Sequence, residues 1–112
     1  MTYRVHLTAQ AEADIDRIFD WLFQRSPEGA RRWYEAFWES AERLKSNPLS
    51  SALAPEDDGF PEEVCQMLFK TRQGRTYRAL FVIRADIVHI LCVRGPGERP
   101  VKPEDIERGN TA

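Results

Sequence analysis

Basic side chains are concentrated in the second half of the chain, where they could bind an anionic partner. Residues 64–102 contain two acids, and their eight basic residues are Lys70, Arg72, Arg75, Arg78, Arg84, Arg94, Arg99 and Lys102. Residues 1–63 have the opposite bias, with seven basic residues against thirteen acids. A charge distribution this uneven favours an anionic partner for the second half. The alternative is that predicted strands carry arginine on a face that is only solvated.

The spacing of these residues places several of them on one face of a predicted sheet. Residues two apart in a strand project to the same side, so Lys70 and Arg72 should point together. Arg78 lies on the next predicted strand and Arg94 at the end of the last one, which predicts a shared cationic patch on the face that helices leave uncovered. The alternatives are a solvated sheet edge for Lys70 and Arg72, and for Arg78 an ion pair with an acid of the helices or of residues 56–58.

A second feature is the density of aromatic side chains in one short stretch, namely Trp21, Phe23, Trp33, Tyr34, Phe37 and Trp38. Most have the helical spacing of core residues, but together they cover more of a helix than one buried stripe can hide. We therefore expect part of this set, with Trp33 and Trp38 as candidates, to form a surface for a protein partner or a second copy of the chain. The alternative is that the acidic loop at residues 48–63 folds over them.

Histidine and cysteine do not predict a metal site or a nucleophile. His89 lies in an apolar run and His6 on the first predicted strand, where structural roles are commoner than catalysis. Cys65 and Cys92 have no metal-ligand spacing and no adjacent histidine, so we interpret them as buried small hydrophobes. We expect no metal or other cofactor.

The composition is that of an ordinary globular protein. The chain has 112 residues, of which 42% are hydrophobic and 30% charged, which fits one folded domain and excludes a wholly disordered chain. No apolar run approaches the roughly 20 residues that cross a bilayer, and the sequence predicts no secretory leader. Two cysteines do not make a disulfide framework, so we expect a cytoplasmic location and no membrane partner.

Hydrophobic periodicity predicts a strand followed by two helices. Residues 3–8 alternate in polarity as a short strand does. Thr8 should cap the first helix, and Ser26, followed by proline, should start the second. Pro48 should end the second helix. Because almost nothing separates the two helices, we expect an antiparallel helical hairpin over residues 9–47.

The remainder of the chain reads as a loop, three strands and a tail. Prolines and an acidic run make residues 48–63 a loop. Residues 64–94 contain three strand patterns joined by short turns, which predicts an antiparallel meander. Residues 95–112 form a tail with a short helical turn near Pro103.

The result is an α+β fold of order β-α-α-β-β-β in one domain, with the hairpin packed on a small antiparallel sheet. The predicted core is Val5, Leu7, Ile15, Ile18, Phe19, Leu22, Trp33, Phe37, Leu44, Leu80, Val82, Ile90 and Val93.

Taken in order, these segments resemble the RelE/ParE-type toxins of bacterial type II toxin–antitoxin systems. The motifs that carry the resemblance are Leu7-Thr8-x-x-Ala11-Glu12-x-Asp14-Ile15-x-x-Ile18-x-x-Trp21 with Ser26-Pro27-x-x-Ala30-x-x-Trp33, then Tyr77-Arg78-Ala79-Leu80-Phe81-Val82-Ile83, then Asp86-Ile87-Val88-x-Ile90-Leu91-x-Val93. They span about residues 3–100. The resemblance implies a helical hairpin on an antiparallel sheet. The long hairpin is more similar to the ParE-like branch, which inhibits DNA gyrase, than to the RelE-like branch, which cleaves messenger RNA on the ribosome without a metal.

The resemblance also implies partners. In both branches a cognate antitoxin wraps around the toxin and silences it, so we expect a toxin–antitoxin hetero-oligomer or a homodimer, with Trp33 and Trp38 contacting the antitoxin. The target, DNA gyrase or the ribosome with its messenger RNA, would be bound through Arg75, Arg99 and Lys102.

A RelE-like nuclease would draw its catalytic groups from the same basic set. Metal-free RNA cleavage needs a base for the 2′-hydroxyl, cations for the phosphorane charge and an acid for the leaving oxygen. By resemblance Lys70 matches the base and Arg78 the phosphate-stabilising arginine, with Arg72 and Arg94 completing the catalytic candidates.

The sequence departs from the RelE-like pattern in its last segment. RelE-like enzymes usually carry a catalytic tyrosine there, and many relatives carry a histidine after the last strand. Residues 95–112 contain no tyrosine, and Gly95 stands where the histidine would be. The preferred function is therefore ParE-like gyrase inhibition. The alternatives are a ribosome-dependent messenger RNA endonuclease and a decayed, non-toxic binding protein.

Overall fold

The computed structural model describes residues 2–110, which form an α+β fold. The strands are β1 (Arg4–Leu7), β2 (Cys65–Phe69), β3 (Tyr77–Arg84) and β4 (Ile87–Arg94), and the helices are α1 (Ala9–Arg25), α2 (Pro27–Leu44) and α3 (Pro103–Asn110). The predicted order β-α-α-β-β-β is confirmed. The helical turn expected in the tail is the start of α3.

One residue both ends α1 and begins α2. The Ser26 backbone N–H donates to the Leu22 carbonyl at 2.8 Å, which closes the last turn of α1. The Ser26 hydroxyl accepts from the Gly29 N–H at 3.0 Å, which caps the first turn of α2. Pro27 follows at the first helical position, where its missing N–H removes no helical hydrogen bond. The predicted helical hairpin therefore has a junction of a single residue.

The sheet is mixed rather than wholly antiparallel as predicted. Its order is β1-β4-β3-β2, and both pairings within the predicted meander are antiparallel. Strand β1 lies parallel to β4, with Val5 opposite Val88 and Leu7 opposite Ile90. Local sequence patterns do not define which strands become neighbours, and these two come from opposite ends of the sequence. The hairpin leads from β1 to β2 at the opposite edge of the sheet, so the neighbour of β1 is β4, the last strand of the meander.

Helix α1 continues the hydrogen bonding of β4 beyond the end of β1. The Thr8 backbone N–H donates to the Ile90 carbonyl at 3.1 Å, and the Thr8 hydroxyl donates to the Leu91 carbonyl at 2.7 Å. Six residues further on, a carboxylate oxygen of Asp14 accepts from the Val93 N–H at 3.0 Å. Asp14 is 3% exposed. A side chain that the sequence places on the polar side of α1 is thus a buried link between helix and sheet.

Both faces of the sheet are covered, so the predicted uncovered face is wrong. The hairpin covers the first face, where the buried side chains include Trp33, Phe37, Phe81 and Ile90. The second face is buried under the 48–63 loop and the tail by a second cluster of Ala54, Val64, Leu80, Val82, Leu91, Cys92, Val101 and Ile106. A register shift opposite Leu80 and Phe81 makes a bulge that adds Leu91 to this second face.

The predicted core is largely confirmed. The members that the structure leaves half-buried are Val5, Leu7, Phe19 and Leu22. Val5 and Leu7 lie on the edge strand β1, which has a neighbouring strand on one side only. Phe19 and Leu22 lie on α1, a helix that packs on the core with one face. None of the helices within residues 2–110 has the length and apolar composition of a membrane span.

Candidate functional site

A groove of about 1000 Å³ lies between the hairpin and the β2–β3 loop. We call it the basic groove, and define it by Arg17, Arg25, Arg32, Arg72, Arg75 and Glu98 with the aromatic side chains of Trp21, Trp33 and Tyr77. It therefore contains five guanidinium groups and one carboxylate. Clefts lined by one sign of charge concentrate ligands of the opposite sign.

Two elements form the walls of the groove. One is the part of the hairpin around the α1–α2 junction, and the other is the tight loop between β2 and β3. Arg17, Trp21 and Arg25 are four residues apart on α1, so they share one face of that helix. The opposite wall is the loop that carries Arg72 and Arg75. Gly74 holds this loop in a tight turn: its N–H donates to the Thr71 carbonyl at 3.1 Å, and a Cβ at Gly74 would lie 2.2 Å from the Thr71 hydroxyl oxygen.

The loop arginines are available to a ligand. Arg72 and Arg75 are both exposed, and among the described residues no carboxylate lies within ion-pair distance of either. Arg17 is partly engaged, because one of its nitrogens lies 3.2 Å from Glu98. Glu98 is held in turn by the Gly95 N–H. The one carboxylate of the groove is therefore already committed to groups of the protein.

Aromatic rings form the floor and rim of the groove. Trp21 is 53% exposed although the Arg25 guanidinium carbon lies only 3.5 Å from the centre of its ring. Trp33 is buried beneath, in edge-to-face contact with Tyr77 at 5.5 Å between ring centres. Its indole nitrogen is buried and has no hydrogen-bond partner among the described residues. Burial, followed by the charge of Glu98, raises the pKa of Tyr77 above its ordinary value.

The predicted catalytic quartet is not brought together. Strand β2 ends at Phe69, so Lys70 and Arg72 lie beyond it in the loop rather than on one strand face. The prediction that a strand projects them together is therefore wrong. Arg78 and Arg94 lie directly opposite each other on β3 and β4, within the sheet rather than in this loop.

Arg78 is held by a buried carboxylate of the 48–63 loop. Its two terminal nitrogens donate to the two oxygens of Glu56 at 2.6 and 2.5 Å. The Val101 N–H donates to the same carboxylate at 3.0 Å. Burial alone would raise the pKa of Glu56, but the hydrogen bonds from Arg78 and Val101 outweigh it and lower that pKa below its ordinary value. The structural alternative foreseen for Arg78, an ion pair with residues 56–58, is the arrangement observed.

The other basic candidates have separate environments. The Arg94 side chain is 13% exposed and lies 3.6 Å from Glu98. Arg99 makes two hydrogen bonds of 3.0 Å to Asp105, which with the Lys102 N–H lower the pKa of Asp105 to about 2. The Lys102 side chain is exposed in the tail. Of the predicted target contacts, only Arg75 lies in the basic groove.

The aromatic candidates for partner binding divide between core and surface. Trp33 is 2% exposed and packs on Phe69 and Tyr77, so its ring is not available to a partner. Trp38 is 37% exposed on the outer side of the hairpin. There it ends a line of contacting rings that we call the aromatic row, made of Phe23, Phe19, Tyr34 and Trp38 at centre distances of 5.8, 5.9 and 6.2 Å. The 48–63 loop covers the opposite side of the sheet.

Cysteine and histidine keep structural environments. Cys65 and Cys92 are both free and buried. Burial raises the pKa of Cys65, and raises that of Cys92 to about 12, which makes the thiolate inaccessible at neutral pH. His6 and His89 pair edge to face across the parallel strands. Within residues 2–110, no cluster of three or more ligating side chains is arranged to hold a metal.

Sequence reasoning missed the contribution of the hairpin to the basic groove. Arg17 and Arg25 belong to the first 63 residues, in which acids outnumber basic residues, so the comparison of charge along the chain did not single them out. Their spacing with Trp21 at intervals of four was a usable signal, because it places the three side chains on one helix face. The roles of Glu56 and Glu98 depend on long-range contacts that no local pattern contains.

Comparison with known proteins identifies the family. Residues 5–99 match the family model described as the ParE toxin of the type II toxin–antitoxin system parDE. A solved structure titled "Chromosomal ParDE TA system from P. aeruginosa" matches with a TM-score of 0.64 at 20% sequence identity, covering 84% of this chain and 96% of that one. No curated protein matches the sequence. The chain belongs to the ParE toxin family of type II toxin–antitoxin systems.

Proposed function

We propose that the chain is a toxin that arrests growth by inhibiting DNA gyrase, and that its cognate antitoxin silences it by binding the aromatic row. Family membership supports the role of toxin component. The observation that carries the choice of gyrase over messenger RNA is the pairing of Arg78 with Glu56. A phosphate-stabilising arginine must be free to meet its substrate, whereas this guanidinium has both terminal nitrogens occupied.

The positions of the remaining nuclease candidates support the same choice. Lys70 and Arg72 lie in the β2–β3 loop, while Arg78 and Arg94 lie opposite each other on strands β3 and β4. General acid–base catalysis needs its groups within hydrogen-bond reach of one substrate atom. Two residues of a loop and two of the sheet, of which Arg78 is held by Glu56 and Arg94 lies beside Glu98, do not provide such a centre.

The target contacts that we propose are Arg72 and Arg75. Both are exposed in a loop and among the described residues have no ion-pair partner, so a target can bind them without displacing a carboxylate of the protein. Arg99 is a weaker candidate because its guanidinium is occupied by Asp105. Lys102 lies in the tail, outside the basic groove.

The proposed antitoxin contact is an amphipathic segment whose apolar side lies along the aromatic row. Tyr34 and Trp38 are each more than a third exposed. A shallow cavity of about 400 Å³ lies beside them, and Asp16, Arg31 and Glu35 provide charges at its rim. Exposed aromatic surface with a charged rim is typical of protein interfaces.

Expression of the chain alone in bacteria tests the function. We expect growth arrest with ribosome-associated messenger RNA left intact, as read by primer extension. The Arg72→Ala/Arg75→Ala double variant should restore growth, whereas Arg4→Ala, which removes an exposed arginine far from the groove, should not. New ribosome-dependent cuts would contradict the choice of target. Uninterrupted growth at full expression would contradict a toxic function.

A further inference from the structure

We propose that the basic groove binds a single strand of nucleic acid, with its arginines on the phosphates and Trp21 stacked against a base. The inference rests on the proposed function in that it names the ligand chemistry of the same target-binding site. It adds a direct contact with a nucleic acid to the contact with a target protein.

The charge of the groove is suited to a phosphate chain. Five guanidinium groups and one carboxylate line the groove, and Glu98 is already held by Arg17 and the Gly95 N–H. Arg32 pairs with Glu28 at 3.3 Å. Among the described residues, the groove arginines without a carboxylate partner are therefore Arg25, Arg72 and Arg75. Arg72 and Arg75 line the wall opposite α1, so cationic groups are present on both sides of the groove. Arginine binds phosphate through two parallel hydrogen bonds, which favours it over a point charge at such a site.

The aromatic surface distinguishes a nucleic acid from an acidic peptide. Trp21 remains 53% exposed with Arg25 packed over its ring at 3.5 Å, which leaves indole surface open to the groove. A base can stack on that surface, and such stacking is tolerant of sequence because every base has a flat π face. Carboxylate side chains would satisfy the arginines but would leave the indole without a partner.

The same argument favours a single strand over a duplex. In a duplex the faces of the bases are hidden by their neighbours, so only an unstacked base can meet Trp21. A volume of about 1000 Å³ suits a short stretch of flexible strand. Positively charged grooves with aromatic platforms are the usual design of single-strand binding sites.

Fluorescence anisotropy with the full chain and a labelled oligothymidylate of about 12 nucleotides tests the proposal. We expect binding that weakens steeply with salt. The Arg72→Ala/Arg75→Ala variant should lower the affinity at least about tenfold and reduce the salt slope by about 0.7 for each phosphate that the variant no longer neutralises. Trp21→Leu, which keeps apolar bulk but removes the π face, should lower the affinity by about tenfold with no change of slope. All three residues are exposed, so these variants should fold.

The matched control is Arg4→Ala/Arg31→Ala, which removes the same charge from exposed positions outside the groove. It should bind almost as the wild type does. An equal fall in affinity for this control would show that net charge alone explains the loss of binding in the Arg72→Ala/Arg75→Ala variant, and would overturn the proposal. So would equal binding of a duplex of the same length, or tighter binding of a polyglutamate peptide. If the oligonucleotide fails to bind while purified gyrase is still inhibited, the inference fails and the proposed function stands.

Discussion

Two buried carboxylates, Asp14 and Glu56, connect segments that are distant in the sequence. Asp14 satisfies a strand N–H from a helix, and Glu56 joins the 48–63 loop, strand β3 and the tail. Buried charges persist only where partners compensate their lost hydration. Both carboxylates meet that condition, and both belong to residue types that a hydropathy pattern assigns to the surface. The sequence therefore predicts the apolar core well and these polar links poorly.

Replacing Asp14 should separate the loss of a hydrogen bond from the loss of a charge. Asp14→Ala leaves the Val93 N–H buried without a partner, so we expect the free energy of unfolding to fall by about 1–3 kcal/mol. Asp14→Asn keeps a carbonyl oxygen of the same reach and should cost less. Chemical denaturation of the two variants measures the difference. Equal losses would contradict the assigned hydrogen bond.

Glu56 should make the stability of the fold sensitive to acid. Its pKa is lowered in the folded state from the ordinary value of 4.5, so its stabilising contribution is present above that value and is lost as the pH falls through the folded pKa. Glu56→Gln should reduce this dependence of stability on pH and lower the free energy of unfolding at neutral pH by about 1.5–3 kcal/mol, the usual worth of hydrogen bonds to a charged group.

The matched control for Glu56 is Glu62, which pairs with Arg84 in an exposed position. Glu62→Gln should cost less than about 1 kcal/mol, because solvent screens an exposed pair. Denaturation curves between pH 3 and 7 would compare the two. An equal cost would contradict the distinction between the buried and the exposed pair.

At the scale of elements, the sequence predicts what lies within a segment better than what lies between segments. The caps at Thr8 and Ser26, the order of helices and strands and the two antiparallel pairings follow from local patterns. The parallel neighbour of β1 and the cover over the second sheet face do not, because they depend on contacts between distant segments. The candidate groove shows the same division: the sequence analysis singled out Arg72 and Arg75, but not Arg17 and Arg25 on the opposite wall.

The hairpin junction offers an element-scale prediction. Ser26→Ala removes the hydroxyl that caps α2, and should lower the free energy of unfolding by about 1 kcal/mol. Ser26→Asn supplies another capping oxygen and should retain most of the stability. Thermal unfolding followed by circular dichroism measures both. As a control, Ser46→Ala alters an exposed hydroxyl beyond α2 and should change little. An unchanged melting temperature for Ser26→Ala would contradict the capping role.

At the scale of the whole molecule, the two candidate surfaces are distinct. The basic groove opens between the hairpin junction and the β2–β3 loop, whereas the aromatic row lies along the outer side of the hairpin. The proposed target contacts and the proposed antitoxin contacts thus use different residues. Variants on one surface should leave the activity of the other intact.

Substitution of the aromatic row tests this separation. Tyr34→Ala/Trp38→Ala should weaken the antitoxin complex by at least about tenfold, since exposed aromatic anchors each carry about 1 kcal/mol or more in many interfaces. Toxicity in the absence of antitoxin should persist. Leu49→Ala, at a residue 74% exposed elsewhere on the surface, is the control. Isothermal titration with the co-encoded antitoxin measures the affinities, and an unchanged affinity would exclude the aromatic row as the contact.

The most direct measurement is the supercoiling of relaxed plasmid by purified DNA gyrase in the presence of the purified chain. We predict that wild-type protein inhibits supercoiling and that Arg72→Ala/Arg75→Ala inhibits it at least about tenfold less, because the loop arginines make the proposed contact. Arg4→Ala should inhibit as the wild type does. Full supercoiling at a saturating excess of folded wild-type protein would contradict the assignment of gyrase as the target.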